Sequence, residues 1–171
     1  MDFQIMNYQS TLKEDEEIVS LLIRVFVEEG YTDKSSAEKM FTPDKLRKRG
    51  EIILARSATR ELLGMVICVR PTSPARQVAK TDESEIQLLA VYPEVRGHGI
   101  ASSLITTCEQ WAISFGYSKV VLSTQPMMKT AHNVYEQLGY RRNPARDWSN
   151  SICKKYFVYE KSIPQNRILE E

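Results

Sequence analysis

The sequence has few of the residues that metal-binding and disulfide-stabilised proteins require. Its three cysteines, Cys68, Cys108 and Cys153, are an odd number and include no Cys-x-x-Cys pair, and the two histidines are His98 and His132. A structural zinc site needs about four clustered sulfur or imidazole ligands. We therefore expect no metal site, and reduced thiols rather than a disulfide framework.

Long apolar runs, internal repeats and an excess of one charge are also lacking. No apolar stretch reaches the roughly 20 residues of a membrane-spanning helix, and the N-terminus has no signal-peptide pattern. The formal net charge of +1 gives no indication of a nucleic-acid or anionic membrane partner. We expect a cytoplasmic protein with neither partner. The short charge runs at 13–17 and 45–49 are interpreted as solvated helix faces.

The hydrophobic pattern predicts alternating strands and helices within one domain spanning 1–171. The predicted strands are 3–8, 51–58, 61–70, 85–91, 119–123, 141–146 and 155–161, and the predicted helices are 12–29, 35–49, 99–115 and 130–138. Pro43 is expected to divide the second helix. The order β-α-α-β-β-β-α-β-α-β-β indicates an α/β (α+β) fold in which helices pack on a mixed sheet.

The segment from Tyr92 to Ala101 joins a buried strand to an amphipathic helix. Backbone N–H groups at a helix N-terminus have no partner within the helix, and together with the helix dipole they attract anions. Gly97 and Gly99 leave room for a pyrophosphate beside the backbone, and Arg96 adds a cation. The turn is therefore predicted to bind phosphate groups.

The sequence does not match two other phosphate-binding motifs, because it lacks particular residues that they require. The dinucleotide fingerprint requires Gly or Ala where this sequence has Ser102, and an acidic residue at the end of the next strand, where 120–124 has none. The mononucleotide P-loop requires Gly-Lys-Ser/Thr, a tripeptide that does not occur.

The motif Arg96-x-x-Gly99-x-Ala101 resembles the [Arg/Gln]-x-x-Gly-x-[Gly/Ala] signature of the GNAT superfamily of N-acetyltransferases. The preceding 89–93 is similar to that family's fourth strand and its bulge, and 131–140 to its second helix near coenzyme A. The resemblance implies a GNAT-like acyl-CoA N-acyltransferase fold, in which the fourth and fifth strands splay apart and the pantetheine chain lies in the opening.

The resemblance also implies acetyl-CoA as the acyl donor, with no metal. The residues that it places at the cofactor are Leu89, Ala90, Val91, Arg96, Gly97, His98, Gly99, Ile100, Ala101 and Ser102. A backbone N–H at about 89–91 would stabilise the oxyanion of the tetrahedral intermediate.

Two catalytic residues follow from the resemblance. Tyr135 occupies the position of a tyrosine that protonates the departing thiolate, a transfer that a phenol of pKa about 10 can make to a thiolate of pKa about 8.5. Glu85 matches a glutamate that serves some members as general base, since an alkylamine of pKa about 10.4 must lose a proton before it attacks. One position departs from the pattern, because Met128 stands where the family often has an asparagine.

We therefore expect direct transfer of an acetyl group to a primary amine, on a small or amino-acid-like acceptor, within a ternary complex. Acetylation of protein lysines or N-termini and a non-catalytic acyl-CoA-binding module are the alternatives. The sequence leaves the acceptor and a homodimer open. The segment 143–151, which contains Trp148, is expected to border the acceptor pocket.

Overall fold

The computed structural model describes residues 1–165, in which eight strands form a mixed sheet with helices on both faces. The strands are β1 (Phe3–Asn7), β2 (Glu51–Ser57), β3 (Leu62–Val69), β4 (Glu83–Val91), β5 (Lys119–Thr124), β6 (Arg141–Arg142), β7 (Trp148–Ser149) and β8 (Lys155–Ser162). The helices are α1 (Leu12–Leu22), α2 (Lys34–Met40), α3 (Pro43–Arg49), α4 (Ile100–Ser114) and α5 (Lys129–Gln137). This is the α/β architecture that the sequence pattern predicts.

The strand order is β1-β2-β3-β4-β5-β8, and β6 and β7 both pair along the outer edge of β8. Strands β4 and β5 run parallel, and the other pairs among the described strands are antiparallel. A parallel pair needs a crossover connection. Helix α4 provides it and thereby begins beside the end of β4.

Strands β4 and β5 separate halfway along β4. Their pairing runs from Glu83↔Lys119 to Ile86↔Leu122 and then stops. Leu88 has a φ of +49°, and the β3–β4 register shifts at this point. Such a bulge bends the strand. It opens the gap that the family resemblance implies.

Each face of the sheet has its own apolar core. On one face α4 and α5 pack through residues such as Leu104, Ile105 and Tyr135 against the sheet. On the other face α1, α2 and α3 pack through residues such as Ile18 and Leu46. Because side chains of a strand alternate between faces, successive residues of β4 reach both cores.

The predicted element order is confirmed apart from three details. The strand predicted at 141–146 is wrong beyond Arg142, because Pro144 lacks an N–H for pairing and begins a 3₁₀ turn. The two-residue strand β7 was not predicted. The helix predicted at 12–29 is α-helical only to Leu22 and continues as a π-helical turn over Ile23–Val27. Pro43 does divide the second helix, as the first residue of α3. No helix within residues 1–165 has the length and apolar character to cross a membrane.

Candidate active site

The gap between β4 and β5 opens into a cavity of about 600 Å³. Both faces of the sheet contribute to it. Its walls come from the separated half of β4, the end of β5, the first turns of α4 and α5, and the segments around α2 and α3. One cavity therefore connects the predicted phosphate-binding turn with the opposite side of the sheet.

The first turn of α4 has the geometry of an anion site. Gly97 and Gly99 have φ values of +82° and +81°, in the left-handed region that favours glycine. The first helical bond is donated by the Ser103 N–H to the Gly99 carbonyl at 3.0 Å. The N–H groups of 100–102 therefore have no partner within the helix, and they lie at the cavity wall.

Most of the predicted cofactor residues line this cavity. They are Leu89, Val91, Arg96, Gly97, Gly99, Ile100, Ala101 and Ser102. The two exceptions are Ala90, which is buried in the core beneath α1–α3, and His98, which is exposed on the turn. The Ala90 side chain packs into that core, so any contact of this residue with a cofactor would involve its backbone.

Arg96 is already paired in this structure. Its Nη2 lies 3.0 Å from Oε1 of Glu29, and its Nε donates to the Val91 carbonyl at 3.2 Å. The side chain thus joins the α4 turn to β4 and to the segment that follows α1. A pyrophosphate bound at this turn would have to share the guanidinium with Glu29.

The backbone of β4 provides donors on the side of the gap. The Tyr92 N–H donates to the Leu63 carbonyl of β3. Since N–H groups of a strand alternate between its two edges, those of Val91 and Leu89 face away from β3, toward the gap. These are the positions at which the resemblance expects the oxyanion donor.

Tyr135 lies on α5 and lines the cavity with a side chain that is only 6% exposed. Burial raises the pKa of its phenol above the usual value of 10, and the neighbouring Tyr159 adds to the effect. Its proton is therefore retained across the physiological pH range. The structure brings this phenol to the same cavity as the α4 turn, and its catalytic role stays a prediction.

Glu85 does not line the cavity. Its carboxylate is 1% exposed and accepts the backbone N–H groups of Gln77, Val78 and Ala79 at 3.0 to 3.2 Å. These contacts fix the β3–β4 loop to the sheet. The base role of Glu85 stays a prediction, and it requires the proton to travel from the cavity through an intervening group.

Arg49 and Gln87, which were not predicted from the sequence, line the cavity from the opposite side of the sheet. The interpretation of 45–49 as a solvated helix face is wrong for Arg49, because its side chain is half-buried at the end of α3. The sequence signal for Gln87 is its place as the polar residue among the apolar residues of 86–91 in β4.

Gln125, also missed, follows directly after β5 and lines the cavity. Its Nε2 donates to the Tyr31 carbonyl at 3.1 Å, and the Lys154 ammonium donates to the same oxygen. Its Oε1 is buried without a hydrogen-bond partner among residues 1–165. These bonds hold the Tyr31 segment beside the cavity.

Met128 and Trp148 differ in their relation to the cavity. Met128 lines it, and its Sδ lies 3.6 Å from Thr124 Oγ1. Trp148 lies behind the wall, where its Nε1 donates to Ser123 Oγ at 2.9 Å and its ring stacks on Tyr156 at 4.5 Å. Segment 143–151 therefore supports two lining residues, Ser123 and Tyr156, instead of forming the border itself.

The family follows from comparison with known proteins. The sequence model of the acetyltransferase (GNAT) family matches residues 15–140. The chain belongs to the acetyltransferase (GNAT) family. The matched range includes the bulged strand β4, the glycine turn, α4 and α5, which are the elements that build the cavity. Acyl-CoA-dependent N-acetylation is the chemistry of this family.

Individual GNAT relatives match smaller parts of the chain. Human N-acetyltransferase 8 is 30% identical over 113 residues, which are 65% of this chain and 46% of that protein. Human N-acetylaspartate synthetase is 36% identical over 73 residues, which are 43% of this chain and 24% of that protein. The chain thus matches half or less of the length of these curated relatives.

The fold is shared with solved GNAT structures. PaiA N-acetyltransferase from Thermoplasma acidophilum, whose structure is a complex with coenzyme A, has a TM-score of 0.71 and 15% identity, and the match covers 95% of this chain and 99% of that chain. At this identity the likeness concerns the fold.

Proposed function

We propose that the protein transfers an acetyl group from acetyl-CoA directly to the primary amine of a small, amino-acid-like acceptor. The observation that carries this proposal is the single cavity that joins the free N–H groups of α4, the gap-facing N–H groups of β4 and Tyr135 to the opposite side of the sheet. Donor and acceptor can then meet in one ternary complex.

Cofactor binding, oxyanion stabilisation and protonation of the thiolate each have a candidate group at the cavity, whereas the proposed base, Glu85, lies outside it. The α4 turn holds the pyrophosphate, and the backbone of β4 after Leu88 orients the pantetheine and stabilises the oxyanion. Tyr135 delivers a proton to the coenzyme A thiolate as the C–S bond breaks, and the phenol is restored by the proton that the amine nitrogen loses on becoming an amide. Holding amine and thioester in contact supplies a further large part of the rate.

A small acceptor is favoured over a protein chain by the walls on the acceptor side. Apolar side chains from the α1 end and α2, Phe26, Met40 and Phe41, bound the cavity there. The name of one relative, N-acetylaspartate synthetase, also indicates amino-acid chemistry in that protein. A purely acyl-CoA-binding module would not require a buried phenol at the gap.

Steady-state kinetics test the proposal. Purified protein is assayed for release of the coenzyme A thiol with acetyl-CoA and a panel of amino acids, simple amines, polyamines and lysine-containing peptides. Intersecting initial-velocity lines and no acetylated enzyme in mass spectra are expected for a ternary complex. Parallel lines would contradict direct transfer. Binding of acetyl-CoA without any turnover would identify a binding module, and turnover of peptides alone would identify a protein acetyltransferase.

We also propose a cytoplasmic location and a homodimer. Free cysteines among residues 1–165, which are usual in a reducing compartment, support the first, and fractionation of cells carrying the tagged chain checks it. Size-exclusion chromatography with light scattering measures the oligomeric state.

A further inference from the structure

The side chain of Arg49 places a positive charge on the acceptor side of the cavity. It is the last residue of α3, is separated from β2 by Gly50 alone, and is half-buried at the cavity wall. Its Nη1 donates to Oε1 of Gln87 at 2.9 Å. Within residues 1–165, none of the salt bridges, which join nitrogen and oxygen atoms up to 4.0 Å apart, includes Arg49. Its nearest polar partner is therefore a neutral amide.

Gln87 is fixed in the orientation that this contact requires. Its Nε2 donates to the Ala75 carbonyl at 2.7 Å and to Glu85 Oε1 at 2.8 Å. Both amide hydrogens are thus used, and Oε1 is left to accept from Arg49. Because Glu85 is itself held by three backbone N–H groups, the whole chain of contacts is anchored to the sheet. The guanidinium is oriented before any ligand binds.

The other charged residues at the cavity wall are in different situations. Arg96 is paired with Glu29, and Lys129 is exposed at the start of α5. A half-buried cation without an anionic partner is unfavourable. Burial lowers the pKa of Arg49, and the negative charge of Glu85 opposes that shift only in part. An anion supplied by a ligand would offset this cost.

We propose that Arg49 binds a carboxylate of the acceptor, so that the enzyme acetylates amino acids in preference to simple amines. A planar guanidinium pairs with a carboxylate through two parallel hydrogen bonds. Gln87 and Leu89, the first of the expected oxyanion donors at 89–91, are two residues apart on β4, a span of at most about 7 Å. A carboxylate near Arg49 and an amine near the thioester can therefore belong to one small molecule. This inference rests on the proposed function.

Matched acceptors and variants test it. Each L-amino acid is compared with its carboxamide, which keeps the amine and side chain but lacks the negative charge. In the wild type kcat/KM is expected to favour the acid. In Arg49→Gln it is expected to fall about 100-fold for acids and less than about threefold for carboxamides, a loss in line with removal of one partner of a buried charge pair. Arg49→Lys should restore only part of the preference, since an ammonium lacks the planar fork.

The control is Lys48→Gln, which removes the same charge from an exposed neighbour on α3 and should leave the acid preference unchanged. Calorimetric affinity for acetyl-CoA and melting curves verify that the variants stay folded. Equal turnover of acids and carboxamides by the wild type, or an acid preference that survives in Arg49→Gln, would overturn the role of Arg49 while leaving the proposed function intact. Binding of acetyl-CoA with no turnover of any panel member would overturn both.

Discussion

Tyr135 and Glu85 show how differently single residues respond to burial in this molecule. The phenol has its pKa raised by burial beside an open cavity, so it keeps a proton that it can deliver. The carboxylate is surrounded by donors of the β3–β4 loop and has no direct access to the cavity. The same degree of burial thus favours a chemical role for one residue and an anchoring role for the other.

Replacing Tyr135 with phenylalanine is expected to lower kcat by about 100-fold, the usual contribution of general acid catalysis. The affinity for acetyl-CoA, measured by calorimetry, should change little. Because the folded-state pKa is raised, wild-type kcat should show no loss of this acid up to the ordinary phenol pKa of about 10. Tyr140→Phe is the matched control, since that ring lies 6.2 Å from Tyr135 but does not line the cavity. Equal kcat in both variants would remove Tyr135 from the mechanism.

The two roles of Glu85 can be separated by pH. If Glu85 only anchors the loop, Glu85→Gln should lower the free energy of unfolding by about 1 to 3 kcal/mol and reduce kcat/KM by a factor that does not depend on pH. If Glu85 is the base, the variant's kcat/KM should approach the wild-type value toward pH 10, where the amine deprotonates unaided. We expect the reduction in kcat/KM to be the same at every pH. Denaturant unfolding and kcat/KM profiles from pH 6 to 10 measure both quantities.

At the scale of elements, the decisive geometry is the entrance to α4. Gly99 precedes the helix with a positive φ, and a Cβ added there would meet no atom within 4 Å. The glycine is therefore required for the backbone conformation and for access to the N–H groups, not for packing against a neighbour. Gly116, at the other end of the same helix, has a similar φ of +77° and similar open surroundings.

This pair of glycines gives a matched test of the anion site. Gly99→Ala and Gly116→Ala should each destabilise the fold by about 1 kcal/mol, the cost of a left-handed conformation for an L-residue. Only Gly99→Ala should weaken coenzyme A binding, by about tenfold, because Gly99 lines the cavity and Gly116 does not. Isothermal calorimetry with coenzyme A and melting curves separate the two effects. An equal loss of affinity in both variants would indicate strain transmitted through α4 and not a local contact.

The sequence predicts these elements better than it predicts the acceptor side. Helices and strands follow from hydrophobic period, and the glycine turn has a local signature, so β4, the turn and α4 were identified within two residues. Arg49 and Gln87 are 38 residues apart, and their contact depends on how α3 packs on the sheet. No periodicity or short motif encodes such a contact. The separation of β4 from β5 was inferred only through the family resemblance.

At the scale of the whole molecule, the two cores within residues 1–165 lie on opposite faces of one sheet, and a single domain over 1–171 stays a prediction. Trp111 on α4 and Trp148 on β7 report on distant regions. Thermal unfolding followed by tryptophan fluorescence and by far-ultraviolet circular dichroism should give coincident transitions. Two separate transitions would contradict a single cooperative unit.

Binding of coenzyme A should raise the temperature of the unfolding transition. A ligand at 100 times its dissociation constant stabilises the folded state by about 2.7 kcal/mol, which corresponds to an increase in Tm of roughly 5 to 10 °C for a chain of this size. The increase in Tm is compared with that caused by desulfo and dephosphorylated analogues of coenzyme A, each of which lacks one group of the ligand. The absence of any shift at saturating coenzyme A would contradict the anion site.

The attachment of the β3–β4 loop has a consequence for how acceptor preference can change during evolution. Glu85 holds this loop through main-chain N–H groups at 77–79, and those groups are the same for every amino acid except proline. Side chains of the loop can therefore be exchanged without loss of the attachment. The side chains of the loop can vary while its attachment to Glu85 stays the same. They can be diversified in a library in which Glu85 and the cofactor turn are kept.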